Sequence, residues 1–541
     1  MKRALAQGTA LTMPRFSVVL PAYRTPPNLL IDALNSLLCQ TVLPAEIIVI
    51  DDSGDDSRVR DVVSSLHTST NLIRLIVNET NQGISASTNI GIAAATGDFI
   101  VFQDHDDLLT DDALEKFSDL IDKDPTVGAI YSDQCTIDEQ GSVLHRFFKP
   151  CWSPIYALGV MYPGHLLAVR SDLCRKHKIL SQYNGVQDFE FLLRVSEDQI
   201  KISHVPAIAY KWRAIPGSLA LGSDEKSGID RLQATAVNDH LRRRGLSWIA
   251  ESHEHLPHRL VLNPSVKTKC PKISIIIPSR NQGTVLSRCL ESLFVLTEYP
   301  DFEVVLVDNR TTDPIALQAI KSHPVKHVIY DTNKFNYSQA NNIGVSHASG
   351  EFIVFLNNDT EVITSDWLQK LVMYFEDPKV GATGATLLYQ DRTIQHAGVV
   401  LGPRGTADHV MRAFPENADG YAGSLAASRE VSAVTVACLM MRKSLFNQLR
   451  GFSEDYSKHY QDVDLCLKIR NAGLSIISVS NARLYHHESL TRKDEGYDSG
   501  DRAILLDRWG EQIEQGDPYY SKHFEPGSTD YRLRAESLNH K

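Results

Sequence analysis

No Cys-x-x-Cys pair occurs in this chain, although it holds eight cysteines in 541 residues. Their scatter, at Cys39, Cys135, Cys151, Cys174, Cys270, Cys289, Cys438 and Cys466, argues against a structural zinc site and against a disulfide scaffold. Several stand in apolar runs and read as small core hydrophobes, which suits a reducing compartment such as the cytoplasm. Long apolar runs are missing as well. None reaches the ~18 residues that a membrane-spanning helix needs, and Met1–Pro14 holds no apolar stretch of signal-peptide length. Excess positive charge is absent too. The net charge is -11, which excludes the broad basic face of a nucleic-acid binder. Arg242-Arg243-Arg244 is the exception and reads as a helix end or a solvated face. Nor does a Gly-rich turn follow the first apolar run. Pro-Ala-Tyr-Arg stands there, and Pro-Ser-Arg-Asn stands in its later counterpart. That argues against a dinucleotide oxidoreductase and against a nucleotidyltransferase, which would need a basic, Gly-rich loop for a triphosphate.

What is present is an ordinary globular composition, 43% hydrophobic and 22% charged, over a length that accommodates two to four domains. An internal repeat organises it. Phe16–Tyr23 resembles Ile273–Arg280, and Glu46–Asp52 resembles Glu303–Asn309, both at an offset of 257 residues. Gly97–Asp106 matches Gly350–Asp359 at an offset of 253. Three blocks in one order, nearly in register, signal duplication of a whole domain.

Each block is a short, continuous, β-branched-rich run ended by Pro, Asp or Asn, the pattern of a buried strand. Helix-like stretches such as Leu29–Cys39 and Val285–Leu296 lie between them. Alternating strand and helix predicts an α/β fold with a mostly parallel sheet covered on both faces. The expected domains are 15–246 and 271–525, joined by a proline-bearing connection at 247–270 and followed by a short, polar, frayed tail at 526–541. Ligands of such sheets bind beyond the carboxyl ends of the strands. Pro21–Tyr23, Asp51–Asp52 and Asp104–Asp106 therefore share one rim, and their counterparts share another.

The run Gln103-Asp104-His105-Asp106-Asp107 follows a strand directly. Carboxylates at i and i+2 leaving a sheet can reach one hard cation, Mg²⁺ or Mn²⁺, which takes oxygen ligands and shares them with substrate phosphates. The alternative is a solvated turn or a helix cap, where Asp is common. The repeat weighs toward the ligand, because Asn357-Asn358-Asp359 stands at the same place.

Together these residues resemble family-2 glycosyltransferases of the GT-A fold, a Rossmann-like architecture, here twice in tandem. The resemblance covers both halves. It rests on Pro-Ala-Tyr and Asp-Asp-Ser-Gly at the first strand ends and on Asn81–Asn89. In the second half it rests on Asn336–Asn342, Ile394-Gln-His-Ala-Gly398, Tyr460–Leu465 and Leu484–Ser489. The second half looks especially like rhamnosyl- and related sugar transferases.

The resemblance implies inverting transfer from a nucleoside-diphosphate sugar to a glycan, such as an O-antigen or capsule. The acceptor would be lipid-linked and met at the inner face of the cytoplasmic membrane. By match, Pro21, Tyr23, Asp51 and Asp52 would hold the nucleotide in the first half, and Pro278, Arg280 and Asp308 in the second, with Asn89 and Asn342 nearby. Asp104, Asp106, Asn357 and Asp359 match the metal motif, and His486 matches a further metal ligand. Asp188 and Asp462 match the general base, each at a helix start where the dipole alone would also favour a carboxylate. Lys211 is assigned to the place that His486 fills in the second half, facing the diphosphate directly. These departures leave two readings open. Both domains turn over, or the first only holds a carbohydrate acceptor.

Overall fold

The strands form where branched apolar residues run together and leave no polar face. Phe16–Ala22 is buried along nearly its whole length, and so is Ile273–Ser279. The computed structural model describes residues 13–67, 71–215, 228–332, 334–487 and 499–538. Most of Met1–Pro14, Glu488-Ser489 of the second-half motif and the last three residues of the tail lie outside them. The chain divides into two units, the first from Met1–Trp152 and Met161–His240, the second from Ser153–Val160 and Leu241–Lys541.

In the first unit the order is β1 (Phe16–Ala22), α1 (Pro27–Leu38), β2 (Glu46–Asp51), α2 (Arg58–His67), β3 (Ile73–Val77), α3 (Ile84–Ala94), β4 (Phe99–Phe102), β5 (Leu108–Leu109), α4 (Ala113–Lys123), β6 (Val127–Ile137) and β7 (Val143–Phe147). After α5 (Pro154–Gly159), which belongs to the second unit, come β8 (Leu167–Arg170), α6 (Ser171–His177), α7 (Gln187–Glu197), β9 (Lys201–Arg213) and α8 (Ile229–Arg243). The sheet order is β3-β2-β1-β4-β8-β6-β9-β5, with β7 on β6. The first four strands are parallel, and β8 enters antiparallel between β4 and β6.

The second unit opens with β10 (Trp248–Ser252) and β11 (Leu260–Pro264). It continues through β12 (Ile273–Ser279), α9 (Gly283–Leu296), β13 (Phe302–Asp308), α10 (Pro314–Ser322), β14 (Val325–Ile329), α11 (Tyr337–His347), β15 (Phe352–Leu356), β16 (Thr360–Val362), α12 (Trp367–Val372) and β17 (Val380–Leu388). Then follow β18 (Ile394–His396), β19 (Val399–Leu401), β20 (Ala407–His409), β21 (Arg429–Val431), β22 (Cys438–Arg442), α13 (Lys443–Gln448), α14 (Gln461–Asn471), β23 (Ser475–His486), α15 (Ser499–Gln515) and α16 (Ala535–Leu538). Its main sheet runs β14-β13-β12-β15-β22-β17-β23-β16, strand for strand the order of the first unit. The two sheets are mixed α/β sheets of the GT-A type.

Matching contacts carry the repeat below the level of topology. Ser17 Oγ donates to Glu46 at 2.7 Å, and Ser274 Oγ donates to Glu303 at 2.5 Å. Gly91 of α3 lets that helix lie against β1, for a Cβ there would meet Val19 at 2.5 Å. Gly344 of α11 does the same over Ile276 at 2.3 Å.

Two stretches outside the repeat carry structure of their own. The stretch 247–270 is not a bare connection, for β10 and β11 pair antiparallel and Trp248 Nε1 donates to Met373 O at 3.0 Å. Its prolines sit at the ends of the hairpin, where no ladder hydrogen bond is lost. Beyond 526 the described residues, up to Leu538, also make tertiary contacts. Tyr531 is buried and stacks on Tyr421 at 5.1 Å between ring centroids, and Phe524 pairs with Leu533. An aromatic tail packed on an aromatic neighbour buries enough apolar surface to stay ordered.

Candidate active site

The parallel strands end together, so β1, β2 and β4 deliver Pro21, Asp51 and Asp104 to one rim, with Pro21 beside Ile50 and Ala22 beside Asp51. Asp51 is fully buried. Its Oδ1 accepts from Ser53 N at 3.0 Å, while Oδ2 has no hydrogen-bond partner and lies 3.4 Å from Arg60 Nε. A buried, unsatisfied carboxylate oxygen is costly, and a ligand N–H or O–H would satisfy it. Tyr23 is exposed on the same rim under the Arg24 guanidinium. In the second unit Asp308 accepts from Thr311 N and meets His327 Nε2, both at 2.9 Å, below Pro278 and the exposed Arg280.

Three residues expected beside a nucleotide make hydrogen bonds within the chain. The Asp52 carboxylate accepts from Asn78 Nδ2, Gln82 N and Gly83 N, each at 2.8 Å, and so holds the loop into α3. Asn89 closes on one peptide, donating to Ile179 O at 2.7 Å and accepting from Ile179 N at 2.8 Å. Asn342 closes on Phe452 in the same way, at 3.0 Å both ways. A primary amide matches a peptide edge with one donor and one acceptor, which is why Asn recurs at both places.

In the first unit His165 Nε2 approaches Asp104 at 3.6 Å and His105 Nδ1 approaches Asp106 at 3.9 Å. Burial raises Asp106, and the charge of Asp104 adds to it. Asp107, part of the acidic run but absent from the expected ligand set, is the deepest of the three. It accepts from Tyr210 OH at 2.6 Å and from Arg213 N at 2.7 Å, and burial pushes its pKa well up. It ties the acidic turn to β9. Alternation along β9 was the available signal, because Tyr210 and Trp212 share the face that looks toward that turn.

In the second unit Asn357, Asp359 and His486 converge. Asn357 Oδ1 accepts from Tyr337 OH at 2.8 Å and its Nδ2 lies 3.2 Å from His486 Nε2. Asp359 Oδ1 lies 3.3 Å from that nitrogen and is buried without a formed hydrogen bond. Burial would raise Asp359, but the contact with His486 outweighs it and leaves the carboxyl below its ordinary range. Among the described residues no three His, Cys, Asp or Glu side chains assemble a protein-only metal site. One unsatisfied carboxylate oxygen and one imidazole fit a hard cation that takes its other ligands from phosphate and water.

Strand register corrects the place given to Lys211. Lys211 pairs with Leu108 in β5 and with Cys135 in β6. In the second unit Tyr485 makes the equivalent pairs, with Glu361 and Leu388, whereas His486 pairs with Thr360. Trp212, one step beyond Lys211, therefore stands where His486 does. A one-residue step turns a strand side chain to the opposite face. Lys211 shares its face with Cys135, while Tyr210 and Trp212 lie 4.8 and 6.0 Å from the His165 ring.

The expected bases sit alike at helix starts. Asp188 accepts from Phe189 N and Asp462 from Val463 N, both at 2.9 Å. Asp462 takes a further bond from Val436 N at 3.2 Å. Both carboxylates are half-buried.

The sequence profile of glycosyl transferase family 2 matches residues 17–177 and 274–450. An uncharacterised protein of Sinorhizobium fredii is 35% identical over 491 residues, covering 89% of this chain and 54% of that protein. The O-antigen biosynthesis protein RfbC of Myxococcus xanthus is 32% identical over 529 residues, covering 96% of this chain and 41% of that protein. The chain thus spans about half the length of these curated relatives. Among solved structures, S. aureus TarS 1-349 in complex with UDP is 21% identical with a TM-score of 0.32, covering 42% of this chain and 72% of that one. Among the described residues no helix is long and apolar enough to cross a membrane.

Proposed function

The chain belongs to glycosyl transferase family 2, and from that premise we propose that it is an inverting transferase. It would move sugars from nucleoside-diphosphate donors to a growing bacterial surface polysaccharide, an O-antigen or capsule, on the cytoplasmic side of the membrane. The observation that carries this reading is the convergence of Asn357, Asp359 and His486 at the strand ends of the second unit, with Asp462 at the start of α14. The likeness to the Myxococcus O-antigen biosynthesis protein supports the polysaccharide.

The chemistry is a single displacement. Asp462 takes the proton of the acceptor hydroxyl as its oxygen attacks the anomeric carbon, and the nucleoside diphosphate leaves from the opposite face. Asp359 and His486 would hold a divalent cation, Mn²⁺ or Mg²⁺, which when bound neutralises charge on the departing diphosphate. Asp308 and Pro278 line the nucleotide end of the rim, with Asp51 and Pro21 as their counterparts.

One observation favours a division of labour between the units. Trp212 stands at the register of His486, and an indole ligates no cation. An aromatic face is suited to the apolar face of a sugar ring. The first unit is then a glycan-holding module, and the second carries turnover.

Aspartate-to-asparagine variants test this. Asp462→Asn should lower turnover about 10²–10⁴-fold, the range of a lost general base, with nucleotide affinity kept. Asp188→Asn should leave turnover near that of the parent. The measurement is nucleoside diphosphate release by the full chain offered UDP-, GDP- and dTDP-sugars with Mn²⁺. Equal loss in both variants would instead favour two active units, and no loss in either would make the chain a binder.

A further inference from the structure

The motif Ile394-Gln-His-Ala-Gly398 has no part in the chemistry above, yet its histidine is fully buried beside the site. His396 ends β18, which pairs with β17. Gly398, at φ +106°, turns the chain so that β19 can bridge Ala433. No side chain fits that turn, since a Cβ would meet Val431 at 2.7 Å.

Two contacts define the ring of His396. Its Nε2 accepts from Thr435 N at 3.3 Å, and its Nδ1 lies 3.1 Å from His409 Nδ1. A nitrogen that accepts carries no proton, so the proton of a neutral His396 is on Nδ1 and is donated to His409. Burial keeps His396 neutral, holding it well below the ordinary imidazole range. His409, accepting at Nδ1, then carries its own proton on Nε2.

The segment that His396 holds has three consecutive residues with three separate roles. Thr435 N–H donates to His396. Val436 N–H donates to Asp462 Oδ2 at 3.2 Å. Ala437 O accepts from Asn357 N at 3.1 Å. One short stretch thus joins the histidine pair, the proposed base and the start of the proposed cation motif. The first unit holds the equivalent stretch by other chemistry. There the buried Lys149 ammonium donates to Gln134 Oε1 at 2.9 Å, to Pro163 O at 2.6 Å and to His165 O.

We propose that His396 is a positioning residue of the second unit. By accepting the Thr435 N–H it fixes the adjacent Val436 N–H, and through it the direction in which the Asp462 carboxylate presents its basic oxygen. The inference rests on the reading of Asp462 as the base.

The test uses the full chain with Mn²⁺ and the panel of UDP-, GDP- and dTDP-sugars, following nucleoside diphosphate release, with nucleotide Kd from calorimetry and thermal unfolding as the check on folding. His396→Gln keeps an acceptor where Nε2 stands. His396→Asn keeps only a group near Nδ1, and His396→Phe keeps neither. Phe and Asn are expected to lower kcat about 10- to 100-fold, the usual effect of removing an outer hydrogen-bond partner. Nucleotide Kd should stay within about threefold, and Gln should recover most of kcat. A parental kcat in both the Phe and the Asn variants would overturn the proposal. So would an equal loss in Gln, or a loss confined to Kd. Should the Phe variant not fold, the Asn and Gln pair decides alone. Full turnover by Asp462→Asn in the same assay would sink the base assignment itself, whatever the His396 variants do.

Discussion

A single step along β9 decides which side chain the first unit offers to its acidic turn. Lys211 and Trp212 are neighbours in sequence, but strand alternation sends one toward Cys135 and the other toward His165. Lys211→Ala is therefore expected to leave the affinity for UDP, GDP or dTDP within about twofold, since a point charge on the far face contributes little through solvent. Calorimetric titration of the variant checks it, and a tenfold loss would return the lysine to the diphosphate. Residue types alone pointed to Asp359 and His486, which lie 3.3 Å apart in the fold, and to Asp462 at the start of α14. They did not reveal the bonds that Asn89 and Asn342 make to Ile179 and Phe452. Asparagine serves a peptide edge as readily as a nucleotide, and the difference lies in what stands opposite the amide.

Elements show the same division. The buried runs at β1, β2 and β4 and their counterparts were legible because parallel strands covered on both faces must be apolar throughout. The close approach of α11 to β12 was not, although Gly344 marks it. Gly344→Ala should cost about 1–3 kcal/mol, the range for overpacking a filled core, measurable by denaturant unfolding. Helix α5 was also hidden, because its partner is distant in sequence. Ile155 N and Tyr156 N donate to Glu430 at 2.9 and 3.3 Å, and all three belong to the second unit. Burial pushes Glu430 from 4.5 up to about 7. Between those values the folded chain keeps a proton that the unfolded chain has released, so stability falls as pH rises through that window and levels off above it. The change is on the order of 3 kcal/mol. Urea unfolding from pH 4.5 to 8 should show this slope, and Glu430→Gln should flatten it. An unchanged slope in the variant would assign it to other groups.

At the scale of the whole molecule, two sheets of one topology carry unequal rims. Calorimetric titration of the full chain with UDP, GDP and dTDP, with and without Mn²⁺, is expected to show one metal-dependent site, abolished by His486→Ala and untouched by Trp212→Ala. Two such sites would restore the symmetric, bifunctional reading. The halves also differ in what surrounds their sheets. The second unit recruits the β10–β11 hairpin, α5 and the aromatic end of the chain around Tyr531, features that its counterpart does not repeat among the described residues.

The sequence by itself determined the duplication, the strand-and-helix alternation, the GT-A fold and the family. Each of these depends on local pattern, the period of buried residues and the punctuation at strand ends. Only the tertiary structure decided which side chains meet. Register gave Trp212, not Lys211, the position in the first sheet that His486 holds in the second. The peptide edges of Ile179 and Phe452 took the amides of Asn89 and Asn342. Thr435-Val436-Ala437 brought His396, Asp462 and Asn357 onto one segment. These pairings join residues tens of positions apart, and a shift of one residue in any strand changes them. A local pattern therefore fixes the fold while leaving the identity of each partner open until the sheet closes.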